Sequence, residues 1–208
     1  RQMAECRELG ITLCAGYGLT ECANLTSGNC DTDKKPESMG HIYPEQQVKV
    51  VDGELWIKGD NVMKEYYKDP EHTAEVLEDG WFKTGDLVEF DDNDWIYITG
   101  RIKNLIILPN GENVSPEEIE ELFYKQSLVK DCLVQEMEMN GNTVIGVEII
   151  PYMPELDGAS EEEIQNRLQE TVNEVNKELP PFKRVLKLKV RTEDFKRNGA
   201  MKILRNQA

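Results

Sequence analysis

The apolar residues of this 208-residue chain fall in short runs cut by turn dipeptides, and that punctuation points to sheet-rich architectures. Val48 and Val50 are followed by Leu55, Trp56 and Ile57 across Val51-Asp52-Gly53. An Asp-Gly pair between β-rich runs supplies the positive-φ residues of a tight hairpin. Asn140-Gly141 repeats the signal between residues 132–138 and 143–150. Residues 81–90 and 95–98 read as a further strand pair, joined by Asp91-Asp92-Asn93-Asp94. Residues 11–15 read as a buried strand that Gly16-Tyr17-Gly18 breaks.

Helical signals are fewer. A short helix is expected over 70–78, opening at Pro70. Ser115-Pro116-Glu117-Glu118 predicts a capped start with a carboxylate at the capping-box position, for a helix running to about Ser127. Ser160 and Glu163 open another, with Ile164, Leu168, Val172 and Val175 on one face and Pro180-Pro181 after it. Residues 185–190 alternate as a strand. From 104 onward the order is therefore β-β-α-β-β-α-β, a small α+β domain, and Gly100 with a charge cluster marks the boundary before it.

The net charge of −16 argues against nonspecific nucleic-acid binding. From Lys183 onward, however, nine basic residues face only Glu193 and Asp194, a net of +7. Such a tail suits a polyanion, and it equally suits acidic neighbours in its own fold. Cys6, Cys14, Cys22, Cys30 and Cys132 read as reduced thiols, and His41 and His72 are too few for a multi-histidine metal site. No apolar run approaches the ~18 residues a transmembrane helix needs. The chain opens at Arg1 rather than at a methionine, so a longer parent protein is expected.

Four stretches carry chemistry. In Tyr17-Gly18-Leu19-Thr20-Glu21 the glycines allow close backbone approach, the Thr hydroxyl can donate to a phosphate, and Glu offers the hard oxygen that Mg²⁺ prefers. A strand-to-helix turn with a Thr-Glu cap would look the same. In Gly80-Trp81-Phe82-Lys83-Thr84-Gly85-Asp86 the carboxylate is poised for a vicinal diol, or simply sits in a Gly-Asp turn. Arg101 and Lys103 stand at the domain junction, and Gly111 after Asn110 can be a hairpin turn. Lys202-Ile203-Leu204-Arg205 lies in the basic tail.

In this order and spacing, together with Gly53-Glu54-Leu55-Trp56-Ile57-Lys58-Gly59 and Gly111 through Glu120, these stretches resemble the adenylate-forming superfamily. That superfamily holds acyl- and aryl-CoA synthetases, peptide adenylation domains and beetle luciferases. The segment Asn104 through Glu120 is most similar to fatty-acyl-CoA synthetases. The resemblance implies an α+β chain: residues 1–102 are the end of a large α/β-plus-β-barrel N-terminal domain, including its barrel-like part. Residues 103–208 are a small mobile C-terminal lid that hinges at Lys103. It implies ATP, Mg²⁺ and coenzyme A as co-substrates and cofactor, AMP as product, and a carboxylic acid as substrate. By position, Thr20 contacts the α-phosphate, Glu21 holds Mg²⁺, and Tyr17 with Gly18 lies by the adenine. Asp86, assisted by Arg101, takes the ribose hydroxyls; Gly111 lines the pantetheine channel; Lys202 bridges carboxylate and α-phosphate.

Departures from the pattern are specific. Met201 stands where the family has Gly before the catalytic Lys, and anchoring on Gly199 instead would put Ala200 at that position. Glu65 replaces a common Gly beside Tyr66-Tyr67-Lys68. The family's phosphate-gripping Ser/Thr/Gly-rich loop lies upstream of Tyr17, so these residues alone are expected to be inactive in the overall reaction. A carrier protein in place of coenzyme A, or a non-catalytic module on the same fold, are the alternatives. The expected location is cytoplasmic, with peripheral membrane association left open.

Overall fold

In the computed structural model the chain is described at residues 6, 9–11, 13–29, 35, 37–199 and 201–205, so Thr12, Cys30 and Ala200 lie outside the described residues. It divides into two compact units, residues 1–103 and 104–208.

The first unit opens with β1 (Ala15–Tyr17), β2 (Ser27–Asn29) and β3 (His41–Ile42), an antiparallel sheet in that order. Tyr17 pairs with Ser27. Gly16, expected to break a strand, is therefore inside one, and Gly18 follows its end. Ile11 and Leu13, read as its buried core, are exposed, because no described element packs over them. Then come β4 (Gln47–Val51), β5 (Glu54–Lys58), α1 (Pro70–Val76), β6 (Leu77–Glu78), β7 (Trp81–Phe90) and β8 (Ile96–Arg101). The Asp52-Gly53 hairpin forms as read, with φ of +50° and +84° at its two residues. β7 pairs with β5 along one edge and with β6 and then β8 along the other. Among the described residues this five-stranded sheet is open, not the closed barrel-like form expected. Alternate residues Phe82, Thr84, Asp86 and Val88 point inward with Leu55, Ile57 and Ile96.

The second unit begins with the small hairpin β9 (Ile106–Ile107) and β10 (Asn113–Val114). It continues with α2 (Pro116–Tyr124), β11 (Val129–Met139), β12 (Asn142–Pro151), α3 (Glu161–Glu178) and β13 (Lys187–Val190). β11 and β12 are antiparallel about Asn140-Gly141 (φ +54° and +77°), and β13 returns parallel to β12 after α3. Cys132, Val134, Ile145, Val147 and Ile149 on one sheet face meet Ile119 and Phe123 of α2 and Leu168, Val172 and Val175 of α3. Fully burying each such aliphatic or aromatic side chain contributes roughly 1.5–3 kcal/mol. Ser160 and Glu163 form a reciprocal capping box. Ser115 does not cap α2; its hydroxyl donates to Glu117 Oε2 at 3.0 Å instead, and Glu118 is turned to Lys183. No helix of the described residues is long and apolar enough to cross a membrane.

Candidate nucleotide-binding and catalytic site

Asp86 is 3% exposed, and its carboxylate is gripped from two sides. The Tyr17 hydroxyl donates to Oδ2 at 2.7 Å, and Arg101 Nε donates to Oδ1 at 2.5 Å with a longer contact from its Nη at 3.4 Å. Three elements deliver these groups. β1 carries Tyr17, inward-facing β7 carries Asp86, and the end of β8 places Arg101 directly opposite Asp86 in the ladder. Gly85, at φ +69°, lets β7 bulge against β5 next to the carboxylate. Thr84 secures it from below: its hydroxyl donates to Leu55 O (2.7 Å) and accepts the Asp86 N–H (3.1 Å). Glu54 accepts the Gly85 N–H at 2.8 Å.

Burial, and then the neighbouring Asp86 charge, hold the Tyr17 phenol far above its ordinary range, so it remains a donor at every working pH. The hydrogen bond to Asp86 likewise raises Arg101. A carboxylate offers about four lone-pair sites, and two short bonds leave it room to accept from a diol.

Thr20, Glu21 and Cys22 form a single 3₁₀ turn after β1. Thr20 is exposed. Glu21 Oε1 accepts from the Tyr66 hydroxyl at 2.8 Å, which leaves its second oxygen available. One such carboxylate fits Mg²⁺, which is commonly held by one or two carboxylates with phosphate oxygens and water. Tyr66 is a partner that sequence reasoning missed. It stacks on His72 (4.7 Å), and burial with the Glu21 bond pushes its phenol up to about 12. The left-handed residue of its turn is Lys68 (φ +57°), so Glu65 needs no glycine. Gly18 is required by its own chain: a Cβ there would lie 1.4 Å from Asn24 O.

Lys103 is exposed and sits in the 3₁₀ turn Ile102–Asn104. Gly111, at φ +84°, closes the β9–β10 hairpin with its N–H on Leu108 O at 2.8 Å, and no atom lies within 4 Å of a Cβ placed on it. Lys202 is exposed, and Met201 before it has φ +62°. The tail's other cations are largely neutralised within the unit. Lys183 pairs with Glu118, Lys189 and Arg191 with Glu148, Arg197 with Asp131, and Arg205 with Glu117 and Glu120. Cys6, Cys22 and Cys132 are free thiols, and burial pushes Cys22 up to about 11.

The family described as AMP-binding enzyme C-terminal domain matches residues 103–208, and that described as AMP-binding enzyme matches residues 1–67. A 4-coumarate–CoA ligase-like protein of Oryza sativa subsp. japonica is 33% identical over 210 residues, covering 94% of this chain and 36% of the relative. A long-chain-fatty-acid–CoA ligase of Haemophilus influenzae is 40% identical over 134 residues, covering 57% and 24%. In structure, the O-succinylbenzoate coenzyme A synthetase of Bacillus subtilis in complex with ATP and magnesium ion superimposes with a TM-score of 0.79 at 28% identity, covering 99% of this chain and 43% of that one. The chain thus spans between about a quarter and two fifths of the length of the proteins it matches.

Proposed function

The chain belongs to the AMP-binding enzymes, and from that membership we propose that it is the C-terminal part of an ATP-dependent ligase. That ligase adenylates a carboxylic acid, a fatty acid by preference, and passes the acyl group to coenzyme A. The observation that carries this reading is the buried Asp86 carboxylate held by Tyr17 and Arg101, a pre-formed acceptor for ribose hydroxyls at the position the family motif demands. Support for a fatty acid comes from the Asn104–Glu120 segment and from the ligase of Haemophilus influenzae.

In the first half-reaction the substrate carboxylate attacks the α-phosphorus of ATP and pyrophosphate leaves. Asp86 orients the ribose, and Arg101 holds the Asp86 carboxylate in line. Tyr17, with the Gly18 backbone, lies at the adenine, and Thr20 donates to an α-phosphate oxygen. Glu21, steadied by Tyr66, would hold Mg²⁺, which when bound offsets charge on the phosphates. Lys202 supplies an ammonium for the charge that grows on the α-phosphate and the entering carboxylate. In the second half-reaction a thiol displaces AMP; the lid turns at Lys103, and Gly111 lies along the pantetheine arm. The left-handed backbone at Met201 supports Lys202 as the catalytic lysine, because that is the backbone a family glycine would serve. Residues 1–208 alone do not complete the cycle, and they bind ATP weakly.

The test uses the complete enzyme with fatty acids, ATP and either coenzyme A or a phosphopantetheinylated carrier protein. We expect ATP–pyrophosphate exchange, then acyl-CoA. Lys202→Ala should slow acyl-AMP formation by roughly 10²–10³ and spare thioester formation from preformed acyl-AMP. Absence of exchange would mark a non-catalytic module. Loading of the carrier protein alone would replace coenzyme A in the proposal.

A further inference from the structure

Lys202 rides on a short hairpin whose two arms are each tied down by an arginine. Arg197 and Ile203 bridge antiparallel, Asn198 N–H donates to Lys202 O at 2.9 Å, and Leu204 N–H donates to Lys196 O at 2.9 Å. Ile203 packs against Leu133, Ile150 and Phe195, so Lys202 faces away from that cluster. A hairpin this small is marginal on its own.

On the incoming arm, Arg197 donates to Met201 O at 2.6 Å and, through its other Nη, to the Asp131 carboxylate. Asp131 is itself fixed by the Tyr124 hydroxyl (2.7 Å) and the Cys132 N–H (3.0 Å). On the outgoing arm, Arg205 donates to Val134 O (3.0 Å), Glu120 Oε2 (2.8 Å) and Glu117 Oε1 (3.2 Å). Glu120 is 8% exposed, and its Oε1 accepts the Val134 N–H at 2.8 Å. Glu117 Oε1 also accepts from Asn104 Nδ2 at 2.5 Å, and Asn104 is the first residue after Lys103.

We propose that Arg197 and Arg205 are positioning residues for the first half-reaction, a two-sided brace that sets where the Lys202 ammonium can reach. This rests on the reading that Lys202 acts in acyl-AMP formation. Apolar packing would hold a tail at lower desolvation cost than half-buried ion pairs. What the planar guanidinium fork adds is a fixed orientation. The lysine stem is flexible, so its reach is decided by the backbone that carries it, and both arginines bond that backbone's surroundings rather than the ammonium. Through Glu117, the same network joins the catalytic turn to the residue next to the proposed hinge, so the unit moves the two together.

The experiment measures both half-reactions in the complete enzyme for Arg205→Gln, Arg197→Gln and Arg205→Lys, each alone and combined with Lys202→Ala. A misplacement of about 1 Å costs up to roughly 100-fold, so Arg205→Gln should lower kcat for acyl-AMP formation by about 10–100-fold, leaving KM for ATP and the thioester step within about 2-fold. Arg205→Lys keeps the charge but not the fork and should fall between. If the arginines act through Lys202, each change adds less than about 2-fold on top of Lys202→Ala, because residues acting as a unit are not additive. Full additivity, or equal damage to both half-reactions, would show that the arginines only hold the fold and would overturn the brace. If Lys202→Ala leaves acyl-AMP formation intact, the assignment of Lys202 itself falls, whatever the arginine variants do.

Discussion

Met201→Gly is predicted to stabilise the second unit. Met201 has φ +62° and is 70% exposed. An L side chain in the left-handed region costs roughly 1–2 kcal/mol, and glycine removes that cost. Deleting a side chain this exposed forfeits little apolar burial. The opposing effect is glycine's larger loss of freedom on folding, about 0.5–1 kcal/mol. The difference is a gain of about 0.5–1 kcal/mol, which for a unit of this size raises Tm by roughly 2–8 °C. Met201→Ile should move the other way, since a β-branched side chain suits positive φ least. Trp56, Trp81 and Trp95 all lie in the first unit, so tryptophan fluorescence follows the wrong half of the molecule. Far-UV circular dichroism and calorimetry, which see α2 and α3, are the suitable assays. If Met201→Gly is neutral or destabilising, the turn is not strained, and the argument that it occupies the family's glycine position loses its physical basis.

Asp86→Asn should weaken AMP binding in calorimetric titration and cost about 1–3 kcal/mol of first-unit stability; the buried acceptor of two donors loses its charge, while half-exposed Arg101 can turn to solvent. Lys103→Pro fixes φ near −65° and should let one half-reaction survive in the complete enzyme while the other collapses; both running at the parental rate would place the hinge elsewhere. Burial alone would raise Glu148, but Lys189 and Arg191 hold its carboxyl below its ordinary value. Its contribution to stability is therefore complete above the usual carboxylate range and lost as pH falls through its own lower value. Glu148→Gln should flatten the acid limb of second-unit unfolding followed by circular dichroism, and an unchanged limb would refute the assignment.

Local chemistry was legible wherever a dipeptide imposes a backbone. Asp52-Gly53 and Asn140-Gly141 both close hairpins with two positive-φ residues, as their sequence requires. Ser160 and Glu163 form the cap their spacing allows. Ser115 makes no side-chain cap bond to its helix, and its hydroxyl donates to Glu117 Oε2. The apolar run at 11–15 shows a different limit: periodicity says that a face is apolar, not that a partner covers it, and Ile11 is half exposed. In the candidate site, motif order singled out Tyr17, Asp86 and Arg101, but only the β1, β7 and β8 geometry brings them within hydrogen-bond distance. Tyr66 carried no readable signal, since a turn tyrosine gains meaning only from the Glu21 oxygen it reaches 45 residues away.

The basic tail, which composition left open between a polyanion site and acidic neighbours, is resolved by its pairings. Glu118 and Asp131 each take one tail cation, Glu148 takes two, and Glu117 and Glu120 share Arg205. Among the described residues, Lys202 is one of four tail cations, with Arg184, Lys187 and Lys196, whose side chains meet no carboxylate, and Lys187 donates to the Glu138 backbone carbonyl instead. A lysine already paired would have to give up that partner before meeting a phosphate, and the lost bond would subtract from any stabilisation it gave. Neutralised neighbours also weaken the long-range field of the tail, which leaves less general attraction for anions and more dependence on where one ammonium stands. Charge supplied by a single placed group makes the direction of its backbone the limiting quantity. That is why the arginines flanking Lys202, which carry as much charge as it does, matter here through the geometry they impose rather than through their own field.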